Sequence, residues 1–128
     1  MAARKAPCDP AVVAGRTKKA HQFLEAAETI RELAANEADV GDAYVTLCVH
    51  AGIAAADVLC CRALGYHVQG ESHAEAIAEL GRVGKDHARA LGSLLKIKTR
   101  AGYGDTPVSA EQRRRAGRAA RQLVDATR

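Results

Sequence analysis

Apolar residues return along this chain at helical spacing, separated by short polar stretches that hold turn and capping residues. Ala20, Phe23, Leu24, Ala27, Ile30 and Ala34 lie three or four positions apart with Lys, Glu and Arg between them, the pattern of a helix that buries one stripe. Asp9-Pro10 stands ahead of it in the order of an N-cap followed by a first helical residue. A first amphipathic helix is therefore predicted to start there, with an irregularity near Gly15, and Asn36 to Gly41 is a polar connector. The next stretch, from Asp42 to Leu64, is apolar on almost every side, with Asp42 as its predicted N-cap and Gly65 as the residue that ends it. A helix of that kind is expected at the centre of the core.

Beyond it the punctuation becomes denser. Tyr66 to Glu71 reads as a loop, and Ser72 with Glu75 has capping-box spacing before His73, Ile77 and Leu80. Gly81 and Gly84 weaken the end of this short third helix, and Asp86 is placed to cap a fourth. Leu91, Leu94, Leu95 and Lys98 share one side of that fourth helix, which Gly102 and Gly104 terminate. After a turn-rich loop, Ser109 and Gln112 form a second capping-box pattern, opening a last helix with Ala116, Ala119, Ala120 and Leu123 inward. The pattern predicts an all-α fold: an antiparallel up-and-down bundle of four to five helices over residues 9–128, preceded by a disordered basic tail at 1–8.

Composition narrows this picture. With 128 residues there is room for one domain with a real core. Residues are 48% hydrophobic but only 3% aromatic, so the core must come from Ala, Leu, Val and Ile on closely approaching helices. The stretch Ala43 to Leu64 contains Thr46, His50, Asp57 and Arg62, which a bilayer would have to accept, so it reads as a core helix and no membrane partner is expected. The N-terminal residues lack the apolar run of a secretory signal, and a cytoplasmic location is the expectation. Cys8, Cys48, Cys60 and Cys61 show no zinc-type spacing. They are read as buried reduced thiols, with Cys60 and Cys61 on different helix faces, and neither a metal nor a cofactor is expected.

Charge adds two candidate sites. The chain carries a net +4, and its last helix is the basic element, with Arg114, Arg118 and Arg121 on one stripe. Such a stripe is either a solvated face or a phosphate-binding surface, and the lack of interleaved aromatics argues against a single-strand stacking platform. Within the apolar second helix, Thr46, His50 and Asp57 fall within about 40° of one another at about 100° per residue. Polar groups in a core helix need partners. The stripe is thus either a satisfied structural or dimer network or a ligand-binding or catalytic one, and His73 at the start of the third helix is placed to point back toward it.

The segments HAGIAAADVLCCRALG (His50 to Gly65), GESHAEA after the loop, and LLKIKTRAGYG (Leu94 to Gly104) before an Ala/Arg helix resemble HEPN-domain proteins, in particular the short stand-alone actinobacterial type. The resemblance spans about Gln22 to Thr127. It implies a helical bundle that forms a homodimer, engages RNA or a nucleotide, and acts as a metal-independent ribonuclease of toxin or defence type, with an antitoxin protein as a further partner. The alternative is a non-catalytic interaction module. Catalytic members of the family carry Arg and His with four to six residues between them. That spacing occurs here as Arg16…His21, Arg62…His67 and Arg82…His87, of which Arg82 and His87, straddling the third and fourth helices, are the best placed as a catalytic pair. Where the family's motif normally lies, this chain has Lys98 and Tyr103 at the same spacing, with Arg100 between them. The resemblance implies phosphate binding for Lys98 and Arg100. A polar pocket of His50, Asp57, His73 and Tyr103 is the second candidate.

Overall fold

The computed structural model describes residues 4–70 and 72–128. Five α-helices dominate it: α1 (Pro10–Leu33), α2 (Gly41–Leu64), α3 (His73–Gly81), α4 (Lys85–Tyr103) and α5 (Ala110–Ala126). A 3₁₀ turn at Glu37–Val40 leads into α2. Contacts along the helices fix their directions. Arg16 meets Asp57 and Phe23 meets His50, so α1 and α2 are antiparallel. Asp42 meets Val108 while Arg62 reaches Thr127, so α2 and α5 run the same way. Asp86 of α4 meets Gln122 near the end of α5, which makes α4 antiparallel to both. The four long helices therefore alternate in direction, as the apolar pattern predicts, with the short α3 packed on α4.

The reason α2 sits at the centre is visible in its composition. Its buried positions include Val45, Cys48, Val49, Ala51, Gly52, Ala54, Ala55, Val58 and Leu59, small or branched residues that let neighbours approach from several sides. Leu80 of α3, Leu91 and Leu94 of α4 and Leu123 and Val124 of α5 complete the core with no more than 1% exposure each. Gly52 is a closest-approach point, because a Cβ there would overlap Leu94 Cδ1.

Several helix ends follow the capping chemistry. Asp9 accepts from the Val12 N–H at 2.9 Å, Gly65 takes the left-handed conformation with φ 82°, and Ser109 and Gln112 form the reciprocal capping box. Three ends differ. Asp42 does not cap α2, which the 3₁₀ turn already starts; its carboxylate instead accepts from the Val108 N–H at 2.9 Å and ties down the α4–α5 loop. Ser72 precedes α3 without a side-chain cap bond. Gly84, rather than Asp86, is the N-cap of α4.

Two expectations are corrected at the N-terminus. Residues Arg4–Pro7 are not part of a loose tail but form a strand, β1, paired antiparallel with β2 (Tyr66–Gln69), a segment read above as loop. The register Pro7↔Tyr66 to Arg4↔Gln69 carries Cys8 to the end of α2, where it forms a disulfide with Cys61. The reading of all four cysteines as reduced thiols therefore fails for this pair, whose partners lie 53 residues apart and are brought together only by the strand pairing. Cys48 and Cys60 are free and buried, and burial pushes each thiol up to about 11. Cys60 and Cys61 do face different ways, one to the core and one to the strand.

Candidate functional site

Several of the polar positions picked from the sequence converge, in a cleft of about 300 Å³ between α2, β2, α3 and α4. His50 and Asp57 reach it from α2, His73 from the first position of α3 and Lys98 from the outer half of α4. Ile53, Ala56, Val68, Ala76, Leu91 and Leu95 form its apolar wall. Helix periodicity explains the gathering on α2, since His50 and Asp57 differ by seven residues, or almost two full turns. The places of His73 in the first turn of α3 and of Lys98 one turn beyond Leu94 and Leu95 do the same for the other two helices.

Two further residues belong to this cleft. Arg16 of α1 lies 3.3 Å from Asp57 Oδ2, and His67 of β2 lies 3.8 Å from Asp57 Oδ1. His67 is 4% exposed, and its Nδ1 has no hydrogen-bond partner among the described residues. Burial pushes the Asp57 carboxyl above its ordinary value, against the opposing pull of His67 and Arg16. These two residues come from different Arg…His spacing matches, Arg16…His21 and Arg62…His67. The fold assembles an Arg and a His around one carboxylate, but across space rather than along one motif. No sequence signal marks His67: it is the one buried position of a four-residue strand, a segment too short for alternation to register.

His50 is solvent-accessible at the mouth and stacks on Phe23 of α1, with centroids 5.5 Å apart and a 35° tilt. Thr46, on the same helix face, is half-buried and is not part of the cleft. The apolar wall can receive a flat, weakly polar group such as a nucleobase, and the two cationic side chains can meet an anion.

The remaining candidates lie elsewhere. Tyr103 is 85% exposed at the end of α4, and Arg100 is exposed on the same helix; neither reaches the cleft. Arg82 is engaged with Glu79 at 3.2 Å and donates to the Tyr66 hydroxyl at 2.7 Å. Tyr66 in turn donates to Glu79 at 2.6 Å, and Lys5 lies 3.4 Å from the same carboxylate. The Tyr66 hydrogen bond, with those from Lys5 and Arg82, holds the Glu79 carboxyl below its ordinary value, and the cluster joins β1, β2 and α3. His87 packs over Gly84 at the α3–α4 turn. Arg82 and His87 share no hydrogen bond and no cleft among the described residues.

Arg114, Arg118 and Arg121 line a separate cleft of about 400 Å³ between α5, the end of α1 and the start of α2. Among the described residues no group of three or more His, Cys, Asp or Glu is arranged to hold a metal ion. The segment Glu37–Leu64 is long and apolar enough to cross a membrane, but 72% of its most apolar window is buried inside the bundle, which makes it the core helix of this fold.

No protein-family model matches the chain, and no curated protein matches it. The site's own chemistry therefore carries the functional argument.

Proposed function

We propose that this chain is a HEPN-like helical protein that engages RNA or a nucleotide in the cleft between α2, β2, α3 and α4, with metal-independent cleavage of RNA as its chemistry. The observation that carries this reading is the meeting of His50, Asp57, His67, His73, Lys98 and Arg16 at one apolar-walled cleft. A base packs on Leu91, Leu95 and Ile53, and the adjoining phosphodiester lies against Lys98. His67 faces Asp57 at 3.8 Å, so the proton transfers are assigned to His50 and His73. One takes the proton of the ribose 2′-OH as O2′ attacks its own phosphorus; the other delivers a proton to the departing O5′ as the P–O5′ bond breaks, leaving a 2′,3′-cyclic phosphate. Lys98 offsets the charge that gathers on the phosphorane oxygens. Asp57, held between Arg16 and His67, positions the strand that closes the cleft.

The test is cleavage of single-stranded RNA in the presence of a chelator, with product ends analysed for cyclic phosphate. His50→Ala and His73→Ala are each expected to lower the rate by about 10²–10⁴-fold, the usual contribution of a general acid or base. Lys98→Ala is expected to weaken RNA binding and flatten its salt dependence. Wild-type protein that neither binds RNA at low salt nor cleaves it refutes the reading; binding without chelator-resistant cleavage refutes the catalytic half.

A further inference from the structure

The arginine-lined cleft on the α5 face is a different construction from the histidine cleft. Two glycines behind its lining, Gly41 and Gly117, clear space for the side chains that form it. At Gly117 a Cβ would overlap the Tyr44 hydroxyl and lie 3.1 Å from Arg121 Nη1. At Gly41 it would lie 3.0 Å from Arg113 Cδ. Tyr44, Arg113 and Arg121 are thus seated against backbone rather than spread in solvent. Burial pushes the Tyr44 phenol up to about 12, so it stays protonated at neutral pH.

The ion pairs around the cleft leave cationic capacity unused. Glu28 serves two partners, Arg31 at 2.6 Å and Arg121 at 2.8 Å, while Glu37 adds a longer contact to Arg31 at 3.9 Å. Arg114 is held by Glu111 at 2.9 Å. Arg113 and Arg118 have no carboxylate within ion-pair distance among the described residues, and the buried Nε of Arg31 has no acceptor among them. Five guanidinium groups therefore border a cleft whose own lining contains one carboxylate, Glu37.

We infer that this second cleft binds a phosphate chain, two or more linked phosphoryl groups, independently of the histidine cleft. A guanidinium fork matches two phosphoryl oxygens at once. From Arg114 to Arg121 the stripe covers seven residues, about 10 Å of helix, which exceeds a single phosphate and suits a short chain of them. Free polyphosphate and the phosphate tail of a nucleotide share this chemistry.

Titration calorimetry with pyrophosphate at low salt tests it, beside orthophosphate and ADP. Wild-type protein is expected to bind pyrophosphate at least about tenfold more tightly than orthophosphate. Arg113→Gln combined with Arg118→Gln is expected to lose tenfold or more in affinity, as two charge-assisted contacts disappear. Both side chains stand outside ion pairs, so the unfolding midpoint should hold. The double Arg→Lys variant keeps the charge but not the forks and is expected to recover only part of the affinity. Equal affinity for ADP and pyrophosphate assigns the free chain as the ligand, and tighter ADP a nucleotide. Binding unchanged in the double Gln variant, fully restored by lysine, abolished by Lys98→Ala instead, or equal for orthophosphate overturns the inference. None of these results depends on whether RNA is cleaved at the histidine cleft.

Discussion

Breaking the Cys8–Cys61 disulfide is expected to cost this protein a large part of its stability. The bond closes a loop across a sequence separation of 53, and the chain-entropy relation for a loop of that size gives about 4 kcal/mol at 25 °C. The neighbouring contacts depend on the same anchor. With the bond open, β1 is held by its four-residue pairing to β2, by the Cys8 N–H to Gly65 carbonyl bond at 3.2 Å and by the contact of exposed Lys5 with buried Glu79. A two-stranded ribbon of that length has little stability of its own, so the strand should loosen with the bond. The assay is urea unfolding followed by circular dichroism, comparing oxidised protein, reduced protein and the Cys8→Ser/Cys61→Ser variant. With a denaturant slope of about 1.5 kcal/mol/M, the two thiol-free or reduced forms should share a midpoint about 2 to 3 M below that of the oxidised form. Cys48 and Cys60 provide the internal control. Both are buried with thiols pushed up to about 11, so alkylation of folded protein should label no site rapidly before reduction and two after it. A midpoint shift below about 0.5 M, or rapid labelling of the oxidised protein, would refute the reasoning. Such a bond persists in an oxidising compartment and is opened in a reducing one, so the same measurement gives the stability that the fold keeps in each.

Two further perturbations probe the core and the ion pairs. Gly52→Ala places a methyl where Leu94 Cδ1 now lies, and Leu94 is fully buried; overpacking of about 1–3 kcal/mol should outweigh the helix-propensity gain of up to about 1 kcal/mol. A lower thermal midpoint is expected, and a stabilised variant would show that α2 and α4 separate easily. Burial opposes ionisation of Glu28, but the hydrogen bonds from Arg121 and Arg31 outweigh it and hold the carboxyl below its ordinary value of 4.5. A depressed acid stabilises the fold above its unfolded value and loses that contribution as pH falls through the folded one. The stability gap between wild type and Glu28→Gln should therefore be widest at neutral pH and narrow below pH 4.5, as read by urea unfolding at pH 7 and pH 3; a gap that stays constant contradicts the pairing.

The helices were legible because each of the signals that define them is local. Asp9-Pro10, the Gly65 stop and the Ser109/Gln112 box act within one turn, and the uniform apolarity of Asp42 to Leu64 left α2 no position except the centre. The strand pair was not legible, because Arg4–Pro7 and Tyr66–Gln69 are too short for alternation to register, and their pairing is a long-range event. The disulfide followed from that pairing and was hidden with it. Part of the candidate site was visible for the same local reason: His50 and Asp57 share a helical face. Arg16 and His67 were not, since no spacing rule relates them to Asp57. Only the resemblance relates Tyr103 to this group, and a residue at the last position of α4 lies beyond the reach of the cleft.

The charged side chains of α2 explain why one residue stands out in it. A core helix bearing polar groups must satisfy them, and three of them do so by tethering parts of the chain that helix packing would leave loose. Asp42 holds the loop before α5 through Val108, Arg62 holds the C-terminus through the Thr127 carbonyl, and Asp57 faces both α1 and β2 through Arg16 and His67. Removing any of these would alter folding and function together. His50 has no such tether: it rests on the Phe23 ring and otherwise faces the cleft. An imidazole in the middle of an apolar helix that secures no other segment contributes little to the fold, so a change at His50 separates activity from stability more cleanly than one at Asp57. That asymmetry within a single helix is the reason His50, rather than the more deeply buried carboxylate, is the residue on which the proposed chemistry should be judged.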